Sequence, residues 1–301
     1  MLKVILGNTY ILKVILSNTI IMKQRISLTV DKEIIDKVDR LVDGLYVKSR
    51  SDFVEKILKK HIEQDNTAVI LCGGSNFYLQ GTQIPRPLVD VVGKRIIEYT
   101  IDVLRKYGFV NLFILGSRDM LQRVSKVMEG QKGINIMYLV EGTPSGSASI
   151  LLNLKKYVHA RFLVIPGDCL FNFDLEDMLE FHKTHNKLAT IAIHAFDKPR
   201  REHYNLAWVK LKGINLIDYR EMPSEEVEKN TMHGTGIYLF EPSVLNYIGK
   251  ELRKFDLGNL TTLLIDDKQI NGYMVHGYWF NIHTNDDVRE ANQFLKATQQ
   301  T

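Results

Sequence analysis

The stretch Ala68-Val69-Ile70-Leu71-Cys72-Gly73-Gly74 decides the class of the larger part of the chain. Its apolar run predicts a buried strand, and the glycine pair behind it predicts a tight turn in which backbone N–H groups can approach a phosphate closely. Chemistry on a phosphate also needs cations, because negative charge builds up in the transition state. No Lys or Arg occurs between Gly73 and Pro85. The loop therefore favours binding or sensing of a nucleotide over its turnover.

Strand-like and helix-like segments alternate from residue 67 to residue 301, which predicts an α/β domain with a parallel-rich sheet and helices on both faces. Gly167-Asp168 follows an apolar strand, so we expect Asp168 at the carboxyl edge of the sheet, where such sheets bind ligands. The predicted strands lie near 68–72, 110–115, 134–140, 162–165, 189–196, 206–211, 236–240 and 278–282. The predicted helices cover 96–107, 119–128, a segment after the turn at 142–146, and the last residues of the chain.

The composition bounds the size and setting of the protein. With 301 residues and 45% hydrophobic content, the chain can bury a substantial core in one large domain or two unequal ones. The formal net charge of +4 neither requires nor excludes nucleic acid as a partner. Two cysteines, Cys72 and Cys169, end apolar runs, and we expect both to be buried core residues. Two cysteines cannot form a disulfide framework in a chain of this length, so we expect a reducing compartment and a cytoplasmic protein.

Residues 1–21 form a leader of uncertain role. The segment Leu2–Thr9 is echoed at Leu12–Thr19, and Lys13 interrupts the apolar run, so no uncharged stretch long enough to span a bilayer exists and no membrane partner is expected. Its β-branched residues leave two outcomes open, because the segment can add strands or stay disordered. Met22 offers an alternative start, and we expect the leader to be dispensable for function.

The spacing of residues 22–65 predicts a strand followed by two short helices. Arg25–Val30 alternates polar and apolar side chains with a period of two, which is typical of a half-buried strand. Gly44 ends the first predicted helix, and Ser49 with Asp52 forms a variant capping box for the second. Elements this short cannot bury their apolar faces alone, so we predict a homodimer or higher homo-oligomer in which two strands pair as an antiparallel ribbon.

Over residues 22–65 this order resembles the ribbon-helix-helix family of DNA-binding repressors. The resemblance implies double-stranded DNA as a partner, with ribbon side chains reading base edges and the N-terminus of the second helix holding a backbone phosphate. The implied DNA-binding residues are Arg25, Ser27, Thr29, Lys48, Ser49 and Arg50. The alternative is a plain dimerisation ribbon, since cationic and acidic side chains are nearly balanced in this segment.

Residues 67–301 resemble the sugar-1-phosphate nucleotidylyltransferases, which join a nucleoside triphosphate to a sugar phosphate with a magnesium ion held by two aspartates. The motifs that carry the resemblance are Gly73-Gly74, Pro85–Val89 running into Val92–Tyr99, Gly142-Thr143, Gly167-Asp168, Glu221-Met222-Pro223 and Trp279–Thr284. The implied fold is a Rossmann-like, GT-A-like α/β domain with a mixed sheet. The implied ligand-binding residues are Gly73, Gly74, Arg86, Gly142, Thr143, Asp168 and Glu221, and Asp168 is the implied metal ligand.

Four departures from the family pattern argue against catalysis. Tyr78 stands where the family has a catalytic arginine, Arg86 replaces a lysine, and Met222 replaces a second lysine. Asn281 replaces the second metal-binding aspartate, and an amide is a poorer magnesium ligand than a carboxylate. Loss of one positioned electrostatic group commonly costs about a hundredfold in rate. We therefore predict no catalytic residues and no required cofactor, with magnesium bound only if a nucleotide brings it.

The resulting prediction is a dimeric transcriptional regulator in which a degenerate nucleotidylyltransferase domain senses a nucleotide or nucleotide sugar. One alternative is an active sugar-1-phosphate nucleotidylyltransferase, in which Arg118 or Arg200 substitutes for the missing arginine and the N-terminal module dimerises the enzyme. Another is a structural role, in which the large domain serves only for oligomerisation.

Overall fold

A computed structural model of the chain describes residues 10–14, 20–63, 66–74, 77–142, 146–195, 207–221, 232–249 and 255–298. The chain divides into two compact units, Met1–His61 and Ile62–Thr301, which are treated separately below.

The first unit begins with a β-hairpin. Strand β1 (Tyr10–Val14) pairs antiparallel with β2 (Ile20–Gln24). The strand predicted over Arg25–Val30 is not formed in the single chain: these residues are exposed and lie outside any helix or ladder. A ribbon strand of this kind needs a second copy for its hydrogen bonds, whereas β2 finds its partner within the same chain.

Two helices follow, α1 (Lys32–Leu41) and α2 (Arg50–Glu63). Their connection is fixed by side-chain oxygens. Asp43 Oδ1 accepts hydrogen bonds from the backbone N–H groups of Leu45, Tyr46 and Val47 at 2.8–2.9 Å. Gly44 adopts φ +72°, a conformation that favours glycine, in agreement with its predicted role in ending the first helix.

The predicted cap of α2 is confirmed. The backbone N–H of Asp52 donates to Ser49 Oγ at 3.1 Å, as expected for an N-cap serine. The Asp52 carboxylate reaches back to the backbone N–H of Lys48 at 2.8 Å, one residue before the position of a standard capping box. The two bonds satisfy donors that the first turn of a helix leaves without partners.

The second unit is built on a nine-stranded mixed sheet, which confirms the predicted α/β class. The strands are β3 (Thr67–Cys72), β6 (Asn111–Gly116), β7 (Asn135–Val140), β8 (Phe162–Pro166), β10 (Ala189–His194), β11 (Ala207–Lys212), β12 (Asn215–Glu221), β13 (Met232–Phe240) and β14 (Ile270–Met274). Their order in space is β10-β14-β12-β11-β13-β8-β3-β6-β7, and the four strands from β8 to β7 are parallel.

Helices cover both faces of this sheet. Alternate residues of β3 enter opposite cores: Val69 and Leu71 pack in one, and Ala68, Ile70 and Cys72 in the other. A strand buried on both faces reads as a continuous apolar run, which is why it stands out in the sequence. The helices are α3 (Ile96–Lys106), α4 (Arg118–Met128), α5 (Leu175–His185), α6 (Leu257–Asp266) and α7 (Asn285–Thr298).

Short 3-10 helices occupy three connections, at Arg86–Leu88, Ser149–Leu154 and Pro242–Asn246. The second of them stands where the sequence predicts a longer helix after the turn at 142–146. A two-residue hairpin joins β4 (Asp90–Val91) to β5 (Lys94–Arg95).

Another antiparallel pair brings two distant segments to the carboxyl edge of the sheet. Strand β9 (Cys169–Phe171) pairs with β15 (Trp279–Asn281), with Asn281 opposite Cys169. The backbone N–H of Ile282 donates to the carbonyl of Asp168 at 2.9 Å. Gly167 lies against the end of β3, where a Cβ would be 2.7 Å from Cys72 Sγ, so a side chain does not fit there.

Candidate ligand-binding cleft and DNA-binding surface

A cleft of about 330 Å³ lies at the carboxyl ends of β3 and β8, beside the beginning of β13. Four residues predicted from the sequence line it together: Gly73, Arg86, Asp168 and Glu221. They come from segments far apart in the chain, and the parallel strands bring their ends to one edge. Arg86 is the only Lys or Arg lining the cleft within the part of the chain that the structure describes.

The other predicted ligand residues are not brought to this cleft. Gly74 is exposed with φ +112°, and Gly142 is exposed at the end of β7; neither lines the cavity. Thr143 lies outside the described residues.

Asp168 is a deeply buried acidic residue of the cleft. It is only 3% exposed, and its Oδ2 lies 3.2 Å from Arg86 Nη1 and 3.3 Å from His283 Nε2. A carboxylate this deep needs partners, because burial of an unpaired charge is costly. Asp168 therefore belongs to a partnered cluster inside the protein.

Arg86 is held from three sides. Its Nε donates to the Tyr78 carbonyl at 3.1 Å, its Nη1 contacts Asp168, and its guanidinium lies 5.7 Å from the centre of the Phe77 ring. Because the side chain is mostly buried, these contacts fix the orientation of the planar guanidinium before any ligand arrives.

Tyr78 does not occupy the place of the family arginine in the cleft. Its hydroxyl donates to Asp119 Oδ2 at 3.4 Å, and its backbone forms a bridge with Pro85. The Tyr78 side chain is therefore not among the described groups that line the cleft. Alternation along this extended segment turns the neighbouring Phe77 into the cleft instead.

Among the described residues, no arginine that the sequence offered as a substitute takes the place of the missing family arginine. Arg118 is the exposed first residue of α4 and does not line the cleft. Arg200 lies outside the described residues.

Hydroxyl groups and a carboxylate form the other end of the cleft. Glu221 Oε1 accepts a hydrogen bond from the Tyr219 hydroxyl at 3.1 Å, and the Tyr238 hydroxyl lies 3.0 Å from Thr261 Oγ1. Burial raises the pKa of Tyr219 above its usual range, and burial raises the pKa of Tyr238 to about 12. Both phenols are therefore protonated donors at neutral pH.

The two cysteines are buried, as the sequence predicted. Burial raises the pKa of each thiol, and the negative charge of Asp168 raises it further. The Cys169 S–H donates to Asn281 Oδ1 at 3.8 Å. The thiols are therefore neutral core groups, not thiolate ligands or nucleophiles.

His283 is the site residue that sequence reasoning missed. It lies two residues after Asn281 in an extended segment, and both line the cleft. The period of two between them is the signal that could have found it. Tyr219, two residues before Glu221, was missed for the same reason.

The predicted DNA-binding residues are all exposed. Arg25, Ser27 and Thr29 lie on the unpaired stretch between the hairpin and α1, at alternate positions. Lys48, Ser49 and Arg50 lie at the start of α2.

Arg50 already has an acidic partner. Its Nε and Nη2 each lie 2.5 Å from an oxygen of Asp39 on α1, a bidentate pair. The hydrogen bond from Arg50 lowers the pKa of Asp39, so the carboxylate is ionised at neutral pH. A phosphate at the start of α2 would have to compete with this carboxylate for Arg50.

Comparison with known proteins agrees with the architecture. Residues 67–298 match the sequence profile of the family described as Nucleotidyl transferase. The chain belongs to the nucleotidyl transferase family. Residues 24–65 match the profile described as Ribbon-helix-helix protein, copG family. The predicted fusion of a ribbon-helix-helix module to a nucleotidyl transferase domain is thereby confirmed.

Curated relatives of the nucleotidyl transferase domain are named as sugar-phosphate enzymes. The mannose-1-phosphate guanyltransferase beta-B of Xenopus laevis is 28% identical over 223 residues, covering 71% of this chain and 60% of that protein. The bifunctional protein GlmU of Methanocaldococcus jannaschii is 27% identical over 235 residues, covering 76% of this chain and 54% of that protein. The chain thus spans little more than half the length of these relatives.

Solved structures share the fold. A protein named as a glucose-1-phosphate thymidylyltransferase from Bacillus anthracis, solved with sucrose, superposes with a TM-score of 0.68 at 20% identity, covering 76% of this chain and 94% of that one. HddC from Yersinia pseudotuberculosis gives a TM-score of 0.62 at 18% identity in its complex with GMP-PN, covering 76% of this chain and 99% of that one. No helix among the described residues has the length and apolar character needed to cross a membrane.

Proposed function

We propose that this protein is a DNA-binding transcriptional regulator whose nucleotidyl transferase domain senses a nucleotide or nucleotide sugar without turning it over. The observation that carries the proposal is the ion pair between Asp168 and Arg86 in the cleft. The same chain also contains a ribbon-helix-helix module. A cleft with this one Lys or Arg among its described lining residues suits binding better than phosphoryl chemistry.

Exposed apolar residues of the N-terminal unit support a homodimer. Ile26 and Leu28 are 59% and 61% exposed, and Ile34 on α1 is 50% exposed. Pairing of two copies along residues 25–30 would cover them and supply the missing ladder hydrogen bonds. A two-fold dimer of this kind would read two half-sites of a palindrome.

Regulation requires that the ligand distinguish two states of the protein. A nucleotide sugar can change DNA binding only by binding the DNA-competent and DNA-incompetent arrangements with different affinities. The cleft offers a polar partner for such a ligand without chemistry, since the Glu221 carboxylate can accept hydrogen bonds from ligand hydroxyl groups while the Tyr219 hydroxyl holds it in place.

An active sugar-1-phosphate nucleotidylyltransferase is the second candidate. It is favoured by the names of the curated relatives, which include mannose-1-phosphate guanyltransferases at 26–28% identity. The residues against it are Asn281, in place of a carboxylate, and Tyr78, which is bonded to Asp119 outside the cleft.

The test measures binding of the purified full chain to its own upstream DNA at fixed salt, with and without a panel of nucleotides and sugar nucleotides. The proposal expects specific binding that one ligand shifts. Pyrophosphate release from a nucleoside triphosphate and a sugar phosphate, without specific DNA binding, would establish the enzyme instead. Failure of both assays would leave the oligomerisation role and refute the regulator.

A further inference from the structure

The nucleotidyl transferase resemblance implies a magnesium ion held by two carboxylates, and the described residues do not fit that ion. The second carboxylate is the amide of Asn281, and its Oδ1, the atom that would coordinate, accepts the Cys169 S–H at 3.8 Å. Among the described residues no cluster of three or more His, Cys, Asp or Glu side chains is placed to hold a metal. Magnesium favours charged oxygens, so the Asn281 amide is a weak ligand for this ion.

The remaining carboxylate is already paired with a cation. Oδ2 of Asp168 lies within 3.3 Å of both Arg86 Nη1 and His283 Nε2. A divalent ion at this oxygen would displace the guanidinium or sit beside it, and like charges at that distance repel strongly in a buried site. Arg86 therefore occupies the electrostatic position that a metal would need.

Arg86 is also built to receive an anion. The hydrogen bonds to Tyr78 and Asp168 use two of the five N–H groups of a guanidinium. The side chain lines the cleft, and its planar fork matches the oxygens of a phosphate in a bidentate way. Because its orientation is fixed beforehand, little side-chain entropy is lost on binding.

We propose that the cleft binds a phosphate-bearing ligand without a divalent metal, and that Arg86, held in place by Asp168, donates to the phosphate through the N–H groups that Tyr78 and Asp168 do not use. This inference concerns the cleft alone and does not rest on the DNA-binding role. It holds for a ligand of low charge, since a triphosphate carries more negative charge than one arginine can offset.

The first experiment tests the metal alone. Manganese(II) is titrated into the full chain and the free ion is followed by electron paramagnetic resonance. We expect the wild type and Asp168→Asn to bind the ion equally weakly, and Arg86→Gln combined with Asn281→Asp to bind it at least about tenfold more tightly. Tight wild-type binding that Asp168→Asn abolishes would overturn the proposal, and so would a double variant no better than the wild type.

The second experiment uses inorganic phosphate as the probe, measured by calorimetry with and without EDTA. Metal-free binding to the wild type should be unchanged by EDTA and weakened about tenfold or more by Arg86→Gln. Arg123→Gln, which removes an exposed arginine paired with Asp119 outside the cleft, is the matched control and should bind as the wild type does. Phosphate binding that appears only after magnesium is added would overturn the proposal, and the wild-type arm decides this even if the Arg86 variant fails to fold.

Discussion

The guanidinium of Arg50 and the carboxylate of Asp39 form a two-point ion pair between the helices of the N-terminal unit, with both N–O distances at 2.5 Å. The sequence assigned Arg50 to a DNA phosphate because it lies at the start of α2. In the structure the same fork is satisfied by an acid of α1. Asp39 would therefore compete with any phosphate that Arg50 contacts.

Replacement of Asp39 by Asn should strengthen DNA binding. Because Arg50 would be released from a full negative charge, affinity should rise by about threefold to tenfold, and the slope of log K against log salt should steepen by about 0.9 for each phosphate gained. Fluorescence anisotropy over a salt series measures both quantities. The matched control is Glu33→Gln, which changes the net charge equally on the same helix. Equal gains in the two variants would show that the ion pair is irrelevant.

Arg25→Ala should weaken specific DNA binding while the dimer stays intact. Loss of one base contact typically costs about 1–3 kcal/mol, or about tenfold to a hundredfold in affinity. Anisotropy against the best site and a scrambled site measures the loss, and analytical ultracentrifugation checks the dimer. Unchanged affinity for the best site would mean that the ribbon does not read bases.

Gly116→Ala should destabilise the nucleotidyl transferase domain. Gly116 ends β6, and a Cβ there would lie 2.8 Å from the backbone carbonyl oxygen of Cys72, which cannot move without disturbing β3. Overpacking of this kind costs about 1–3 kcal/mol and should lower the melting temperature by about 2–10 °C. Gly142→Ala is the control, because no atom of the described residues lies within 4 Å of a Cβ at that position. Equal melting temperatures for the two variants would contradict the prediction.

Glu241 should make stability depend on acid pH. Its Oε1 lies 3.3 Å from His182 Nε2 and 3.5 Å from Arg161 Nε, and the hydrogen bond with His182 lowers its pKa below the ordinary value of 4.5. A lowered carboxyl pKa adds stability that is present above pH 4.5 and is lost as the pH falls through the folded-state value.

Glu241→Gln should therefore lower the free energy of unfolding by about 1 kcal/mol at neutral pH, since the Glu241 side chain is 32% exposed and its charge is partly screened by solvent. The difference in unfolding free energy from the wild type should shrink as the pH falls below 4.5, the ordinary pKa of a free glutamate carboxyl group. Urea unfolding over a pH series measures it. The exposed Glu180 on α5 provides the control variant Glu180→Gln, which should show no such trend; a constant difference for Glu241→Gln would argue against the mechanism.

The sequence predicted the elements of the large domain well where burial imposes a periodic pattern. The buried strand β3 and the amphipathic helix α3 both lie within a residue or two of their predicted positions. The segment after Gly146 was harder, because an apolar run such as Ser149–Leu154 fits a 3-10 helix as well as an α-helix. Residues 25–30 alternate polar and apolar side chains as a half-buried strand does, yet they pair with no other strand in the single chain.

Side-chain direction was the weak point of the site prediction. Asp168 and Arg86 were named from their motifs, but nothing local shows that they would contact each other. The orientation of Tyr78 towards Asp119 depends on where α4 lies, so it could not be read from the loop. His283 reaches Asp168 only because β15 pairs with β9.

The amino-acid sequence by itself determined the two kinds of module, several of the buried strands and amphipathic helices of the large domain, and part of the set of side chains gathered at the sheet edge. These follow from periodicity, capping and turn residues, which act within a few positions along the chain. The tertiary structure alone decided that Arg86 and His283 contact Asp168 and that Asp39 holds Arg50. Ion pairs depend on distances between segments remote in sequence, and those distances are set by how the strands and helices pack.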